Sequence, residues 1–207
     1  MILTTDQWIQ LSVAIGTIIV AILAIWGRPI TYFLGLGPKL HIWLEDPQGE
    51  FYKPVRYYHI KARNSHRWAS ATNVRVVISG IARPVANQDY VEQLLVGPLQ
   101  LKRRFDKYHP QYSVLGPDAT FDLGFIDAKK FRFVTYEEPD IVLGAIEPNQ
   151  RARIELRALA DNAESQPLLL EISWDGKWSD DTSQMAMHLV IEEIIPNAWY
   201  RRFFRRR

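Results

Sequence analysis

The stretch that decides the fold is residues 151–158, RARIELRA, in which charged and apolar side chains alternate one by one. Successive side chains of an extended chain point to opposite faces of a sheet, so a period of two with one polar face is typical of a half-buried strand. We therefore predict a strand whose buried face consists of Ala152, Ile154, Leu156 and Ala158. Its outward face would carry Arg151, Arg153, Glu155 and Arg157. The three arginines could form an anion platform or, more often, an exposed strand face balanced by neighbouring acids.

The same alternation recurs along the chain, and turn signals such as Gly-Pro at 97–98 and Asp-Gly at 175–176 separate the repeats. The candidate strands are 40–44, 58–62, 74–78, 93–101, 120–125, 131–135, 168–174 and 185–191. About eight or nine short strands of this kind suit two packed antiparallel sheets. We expect residues 39–195 to form an all-β domain, a β-sandwich.

One part of this domain carries a family resemblance. Tyr58-x-Ile60-x-Ala62-x-Asn64, followed by Ala69-Ser70-Ala71-x-Asn73-Val74-x-Val76, resembles bacterial immunoglobulin-like sandwiches of the cell-adhesion-related (CARDB-like) type. Ser65 stands where those domains usually carry Gly. The resemblance implies an immunoglobulin-like antiparallel β-sandwich and a bacterial origin.

The amino-terminal stretch predicts one transmembrane α-helix. No charged side chain occurs between Asp6 and Arg28. As a helix, this stretch spans about 31 Å, close to the ~30 Å hydrocarbon core of a bilayer. Its anchor residues are Trp8, Ile15, Gly16, Ile18, Ile19, Ile22 and Trp26, with the two tryptophans bracketing the apolar run as interfacial residues do.

A cleaved signal peptide and a buried core helix are the alternatives. A signal peptide needs basic residues before its apolar part, whereas residues 1–7 carry only Asp6. A core helix would show a polar stripe, which this stretch lacks. We therefore expect a retained single-pass anchor. Ser12 and Gly16 have the small-x-x-x-small spacing through which two such helices could pack into a homo-oligomer.

The predicted organisation has four parts: the anchor at 1–28, a juxtamembrane connector at 29–38, the β-sandwich at 39–195 and a basic-aromatic tail at 196–207. Pro29 and the glycines and proline that follow are expected to break the helix. Arg28 and Lys39 follow the span and no basic residue precedes it, so the positive-inside rule predicts a cytoplasmic β-domain. The expected location is the cell membrane.

The tail holds five of the 25 basic residues, and without it acidic residues outnumber basic ones by 23 to 20. Wound as a helix, it would gather its aromatic residues within one arc, with most of its arginines on the other side. That pattern favours contact with anionic lipid or a protein partner, while nucleic acid or a disordered solubilising end are the alternatives. The tail residues are Trp199, Tyr200, Arg201, Arg202, Phe203, Phe204, Arg205, Arg206 and Arg207.

A second basic segment mixes with aromatic residues as nucleic-acid-binding segments do. Its candidate anion-binding residues are Lys102, Arg103, Arg104 and Lys107. Asp106 interrupts the run, and the acidic balance of the body argues against nucleic acid as the favoured partner.

No catalytic residue, metal site or cofactor is predicted. The chain has no Cys, and its five His lie outside metal-binding spacings. Residues 174–181, WDGKWSDD, are read as a type I′ hairpin turn clamped by Trp174 and Trp178. The alternative is a cation loop formed by Asp175, Asp180 and Asp181, with Glu192 or Glu193. These features predict a non-enzymatic, membrane-anchored recruitment module, or alternatively a membrane-tethered sensor that binds nucleic acid or a charged ligand.

Overall fold

The computed structural model of the chain describes residues 4–33, 37–66, 69–85, 90–95, 97–104, 118–137 and 145–195, and for 23–33 it describes the backbone alone. Two compact units are present, Met1–Gly37 and Pro38–Arg207. The first holds one long helix, and the second holds the strands and a short helix.

The first unit contains the amino-terminal helix α1 (Thr5–Phe33). Asp6 lies in its first turn, where a carboxylate interacts favourably with the helix dipole. The helix continues through Pro29, so the prediction that it breaks there is wrong. Proline lacks one backbone donor, but its own φ is helical and the turns on either side keep their hydrogen bonds. Five of the residues assigned to the connector are therefore helical, from Pro29 to Phe33.

The second unit is mostly β-structure. Its elements, in chain order, are β1 (Leu40–Leu44), β2 (Glu50–Tyr52), β3 (Val55–Asn64), β4 (Arg75–Pro84), β5 (Tyr90–Gln93), β6 (Leu99–Gln100), β7 (Ala119–Ile126), β8 (Phe131–Phe133), β9 (Ala145–Ile146), β10 (Gln150–Ala160), β11 (Ala163–Glu164), β12 (Leu168–Trp174), α2 (Thr182–His188) and β13 (Leu189–Glu193).

These strands form two antiparallel sheets. The first sheet has the order β1-β3-β7-β8-β9, with β2 also paired to β3. The second has the order β13-β12-β10-β4-β5, with β11 on β10 and β6 on β4. The chain passes from the second sheet to the first after β6, because Leu101 N–H bonds to Val76 of β4 and Arg104 N–H bonds to Thr120 of β7. The coarse prediction of an antiparallel all-β domain behind one apolar helix is confirmed.

The two sheets share one hydrophobic core. Tyr58 and Ile60 of β3 belong to the same buried cluster as Ile154 and Leu156 of β10, and all four are at most 1% exposed. The apolar face predicted for 151–158 lies in this core. Gly124 of β7 sits where a Cβ would lie 2.5 Å from the Phe131 ring, so only glycine allows β7 and β8 to approach this closely.

Most of the predicted strands are present. The stretches 40–44, 58–62, 120–125, 151–158 and 168–174 lie inside β1, β3, β7, β10 and β12, and 74–78 lies in β4 except for Val74. The stretch 93–101 is shorter and divided, since β5 ends at Gln93 and β6 covers only Leu99–Gln100. The stretch 131–135 is β8 followed by an isolated bridge at Thr135.

The prediction of one strand over 185–191 is wrong in its first half. Residues Thr182–His188 form α2, and the strand begins only at Leu189. Asp181 explains the helix, because its carboxylate accepts a hydrogen bond from the Gln184 N–H and caps the amino-terminal turn. Met185 is 0% exposed and packs in the core. The alternating sequence predicted that this residue would be buried, but as part of a strand and not of a helix.

The hairpin predicted at Asp175-Gly176 is also wrong. A type I′ turn needs positive φ at both central residues, and only Gly176 has it, at 87°. The chain instead leaves β12, forms α2 and returns as β13, which pairs with β12 from Trp174 opposite Leu189. The Asp175 N–H donates to the His188 carbonyl, so the loop closes around the helix.

Candidate functional site

A groove at one end of the second sheet is the candidate site. Its volume is about 610 Å³, within the ~300–1,000 Å³ range of small-molecule sites. Three of its side chains are arginines and one is a carboxylate. The lining residues are Arg83, Pro84, Tyr90, Asn149, Gln150, Arg151, Arg153 and Glu171.

Strand pairing brings these residues together from four strands. Arg153 of β10 lies opposite Ala82 of β4 on one side and opposite Glu171 of β12 on the other. Tyr90, at the start of β5, pairs with Pro84 at the end of β4. By this register Tyr90, Arg151, Arg153 and Glu171 lie on one face of the sheet, while Arg83, next to Ala82 in β4, lies on the other face at the same end. Side chains held by paired strands are a precise support for a site.

Arg153 is held in place by two neighbours. Its Nε donates to a Glu171 oxygen at 2.7 Å, and its guanidinium carbon lies 3.7 Å from the centre of the Tyr90 ring. A cation over an aromatic face is attracted to the ring electrons, and the ring also limits rotation of the planar group. Arg151, two residues earlier, is exposed and has no hydrogen-bond acceptor among the described residues.

Arg83 closes the groove between the two sheets. Its Nη2 donates to the Ala145 carbonyl of β9 in the first sheet, and its Nη1 donates to Gln150. Burial lowers the pKa of Arg83, but a guanidinium starts so high that it stays charged at neutral pH. Burial, and then the neighbouring Glu171 carboxylate, raise the pKa of Tyr90, so its hydroxyl keeps its proton.

The structure divides the arginine face that the sequence suggested. Arg151 and Arg153 line the groove, whereas Arg157 bonds to Glu155 and Glu164, both at 2.6 Å. Glu155 is only 2% exposed, lies beside the register shift between β10 and β4, and accepts a hydrogen bond from the Ser79 hydroxyl. Arg157 therefore balances the charges of Glu155 and Glu164 and does not line the groove. No pattern in the sequence indicated Arg83 or Tyr90, since their place beside β10 depends on the order of strands in the sheet.

The predicted basic segment lies on the first sheet. Lys102 is exposed, and its backbone accepts a hydrogen bond from Asp122 N–H. Arg103 forms a β-bridge with Phe121. Arg104 makes a salt bridge of 2.6 Å with Glu50, which the sequence did not reveal. Lys107 lies outside the described residues.

Arg104 and Glu50 cover a buried histidine. His59 is 3% exposed, its Nδ1 lies 3.0 Å from an Asp122 oxygen, and its Nε2 lies 3.9 Å from a Glu50 oxygen. The ring stacks on Tyr57 with nearly parallel planes. His59 is thus buried within a charged cluster. The sequence alternation in β3 had placed it among the polar residues of the outer face.

We predict that Arg104→Gln raises the pKa of Glu50. The hydrogen bond from Arg104 is the main reason that the pKa of Glu50 lies below its ordinary value. A lowered carboxyl pKa adds stability above the unfolded-state pKa, and this is lost as the pH falls through the folded-state pKa. Wild type should therefore be more stable than the variant at neutral pH, and the difference should close in acid.

Carboxyl carbon NMR over a pH titration measures this directly. Arg132→Gln is the matched control, because Arg132 pairs with Asp127 on the same sheet and does not act on Glu50. An unchanged Glu50 midpoint in Arg104→Gln would contradict the assignment.

The acidic loop has protein partners in place of a cation. Asp175 accepts from Lys177 N–H and lies 2.9 Å from His188 Nδ1, Asp180 accepts from the Trp178 indole, and Asp181 caps α2. Among the described residues, no group of three or more His, Asp or Glu side chains is placed to hold a metal ion. Trp174 is buried and donates to the Lys177 carbonyl, while Trp178 packs against Phe51.

The described side chains of α1, up to Ile22, are exposed within their own unit. An 18-residue window, Thr5–Ile22, has a mean hydropathy of 1.4 and no buried share. The predicted anchor residues Trp8, Ile15, Ile18, Ile19 and Ile22 are all about half exposed, and a Cβ on Gly16 would meet nothing within 4 Å. The side chain of Trp26 and the whole tail, 196–207, lie outside the described residues.

The polar groups of this helix are satisfied locally. The Ser12 hydroxyl donates to the Trp8 carbonyl at 2.9 Å, and the Thr17 hydroxyl donates to the Val13 carbonyl at 2.8 Å. Such bonds lower the free energy needed to place hydroxyl groups in lipid. The helix is thus long and apolar enough to cross a membrane.

Comparison with known proteins adds no relative: no protein-family model matches the chain, and no curated protein matches it.

Proposed function

We propose that the protein is a single-pass, membrane-anchored interaction module that recruits a protein partner and is not an enzyme. The observation that carries the proposal is α1, in which the window Thr5–Ile22 is long and apolar and its described side chains are exposed within their own unit. In water such a surface is unfavourable at about 25 cal/mol per Å², whereas in a bilayer it is covered by lipid.

The displayed domain is an immunoglobulin-like β-sandwich in this proposal. Two antiparallel sheets around one core support it. The motif behind the family resemblance has a structural explanation as well: Asn64 accepts from Lys39 N–H and donates to the Ala69 carbonyl, and Asn73 takes a φ of 54°. Both asparagines thus shape the β3–β4 connection, as turn residues do.

The β-domain lies on the cytoplasmic side in this proposal. Arg28 and Lys39 follow the span, and no basic residue precedes it. The arginine-rich tail then meets the leaflet that is richer in anionic lipid, where each arginine contributes about 1 kcal/mol of attraction. Confinement to the membrane raises the effective concentration of the domain toward other membrane-bound components, which favours recruitment.

Fractionation of cells that express the intact chain tests the anchor. The chain should sediment with membranes after lysis without detergent and should resist extraction by alkaline carbonate. Protease added to inverted vesicles should then digest the β-domain. A chain in the soluble fraction would refute the anchor, and protection of the domain in inverted vesicles would reverse the orientation.

Deleting residues 201–207 should weaken membrane or partner contact without releasing the anchor. The deletion removes five arginines, so binding of the chain to vesicles that contain anionic lipid should become weaker and less sensitive to salt. The chain is first inserted through α1 into vesicles of neutral lipid, and its capture of a second set of vesicles that contain anionic lipid measures the effect. The matched control replaces the five arginines by lysine and keeps the charge. Equal capture by the deletion and the full chain would contradict a role for the tail in lipid binding.

The groove supports a second candidate function, a membrane-tethered sensor of a charged ligand. Three arginines and one carboxylate converge there from the three strands β4, β10 and β12. An anion bound by these groups would link these strands. Nucleic acid is the less favoured ligand, because the body outside the tail has more acidic than basic residues.

A further inference from the structure

We infer that the groove of Arg83, Tyr90, Arg151, Arg153 and Glu171 is a binding site for a phosphate monoester. The inference rests on the second candidate function, the binding of a charged ligand, and does not depend on the membrane anchor. It places the site on the second sheet, away from the basic segment 102–104 that the sequence singled out.

The groove carries an excess of positive charge, which favours a dianion. Three guanidinium groups and one carboxylate line it, and Glu147 offsets part of the charge of Arg83 from beside the lining. A phosphate monoester carries about −1.5 to −2 at neutral pH, whereas a carboxylate or a phosphate diester carries only −1. The monoester is therefore attracted more strongly than the two monoanions.

The donors of the groove are already oriented. Arg153 uses Nε to bind Glu171, and its Nη groups have no acceptor among the described residues. The Tyr90 ring holds the guanidinium plane from one face. A fixed guanidinium matches two phosphate oxygens at once, and the neighbouring exposed Arg151 supplies a second cation.

Glu171 limits what else can bind. Its carboxylate repels an anion that comes too close, but it can accept a hydrogen bond from a hydroxyl group beside the phosphate. The groove, at about 610 Å³, has room for such an organic part. An ester that carries hydroxyl groups, such as a glycerol or sugar phosphate, fits these features.

Calorimetric titration of the intact chain in detergent micelles with glycerol 3-phosphate tests the site. We expect saturable binding that exceeds the binding of dimethyl phosphate, a monoanion, and that weakens as the pH falls from about 7.5 to 5 and the phosphate takes up a proton. Arg151→Gln and Arg153→Gln should each weaken it by about tenfold or more. Arg151 has no bonded partner in the described fold, so its variant should fold normally.

Lys102→Gln is the matched control, since it removes one exposed positive charge from the predicted basic segment on the other sheet. We expect it to leave the affinity unchanged. The inference is overturned if glycerol 3-phosphate does not bind, if dimethyl phosphate binds as tightly, or if Lys102→Gln weakens binding as much as Arg151→Gln does. Failure of the anchor would appear only in the fractionation experiment, so the two failures are distinguishable.

The ester could be a soluble metabolite or a lipid headgroup, and vesicles separate these sources. The chain is reconstituted with phosphatidylcholine that contains either phosphatidic acid, a monoester, or phosphatidylglycerol, a diester. If only phosphatidic acid lowers the affinity for glycerol 3-phosphate, and Arg151→Gln abolishes this competition, the ligand is a lipid headgroup. If neither lipid competes while glycerol 3-phosphate still binds, the ligand is a soluble ester.

Discussion

Arg56→Met should destabilise the β-domain by about 3–5 kcal/mol. Arg56 is fully buried, and its guanidinium donates to the carbonyls of Gln48, Gly49 and Asp180 and to the Thr182 hydroxyl, at 3.0–3.2 Å. Methionine keeps apolar volume at the position but leaves these acceptors without a donor. A buried polar group that loses its partner costs about 1–3 kcal/mol, so a set of them makes a large loss.

Arg56→Met should loosen the segments that Arg56 contacts, in addition to lowering the stability of the whole domain. Arg56 joins the turn before β2 to the loop that leads into α2, and it lies 5.4 Å from the centre of the Phe51 ring. Phe51 in turn packs against Trp178. Hydrogen exchange should therefore speed up in residues 48–50 and 180–182 of the variant, ahead of the strands.

Urea unfolding of the intact chain in micelles, followed by tryptophan fluorescence, measures the free energy. Arg132→Met is the matched control, because Arg132 is 45% exposed and makes one ion pair of 3.4 Å with Asp127. Exposed pairs contribute about 0–1 kcal/mol, so this control should unfold close to wild type. The free energy of unfolding of Arg56→Lys should lie between those of Arg56→Met and Arg132→Met, since one ammonium cannot reach the acceptors in both loops. A loss under about 1 kcal/mol in Arg56→Met would contradict the role of Arg56 as a link.

Much of the fold followed from local alternation. The strands β1, β3, β7, β10 and β12 were predicted because each has one face in the core, which gives the sequence a period of two. The failures lie where a different interaction decides the structure. In residues 182–188, a capping carboxylate at Asp181 favours a helix, and the pattern D-x-x-Q at 181–184 was the available signal.

The candidate site was harder to predict than the strands. The alternation placed Arg151 and Arg153 on an outer face, but pairing across the sheet decides that Arg153 meets Tyr90 and Glu171. Arg56 and His59 show the same limit. Both are polar residues in β3 that the fold buries, because segments far away in sequence cover them. Single-sequence patterns report which residues face a core, and long-range contacts decide which charges meet.

The largest effect on location is expected from Ile15→Arg with Ile19→Arg. Both isoleucines are near the middle of the span and are half exposed on one side of α1, four residues apart. Each arginine at the centre of a membrane helix costs about 2.5–3.5 kcal/mol, in addition to the roughly 0.3–0.6 kcal/mol lost with each isoleucine. The pair therefore costs about 6–8 kcal/mol, which exceeds the roughly 3–6 kcal/mol that favours insertion of the wild-type span. Repulsion between like charges at i and i+4 adds to the effect.

Carbonate extraction followed by immunoblotting should find wild type in the membrane pellet and the double variant in the supernatant. The matched control adds the same two charges at Thr4 and Gln10, near the end of the span, where a charge costs little because it reaches the interface. That control should stay in the pellet. It also places two basic residues at the amino-terminal end of the span, which equals the two, Arg28 and Lys39, that follow it. The positive-inside rule then favours neither orientation, so protease should digest the β-domain in only part of the vesicles. If the Ile15→Arg, Ile19→Arg variant remains in the pellet, another part of the chain holds the protein at the membrane and α1 is not its anchor.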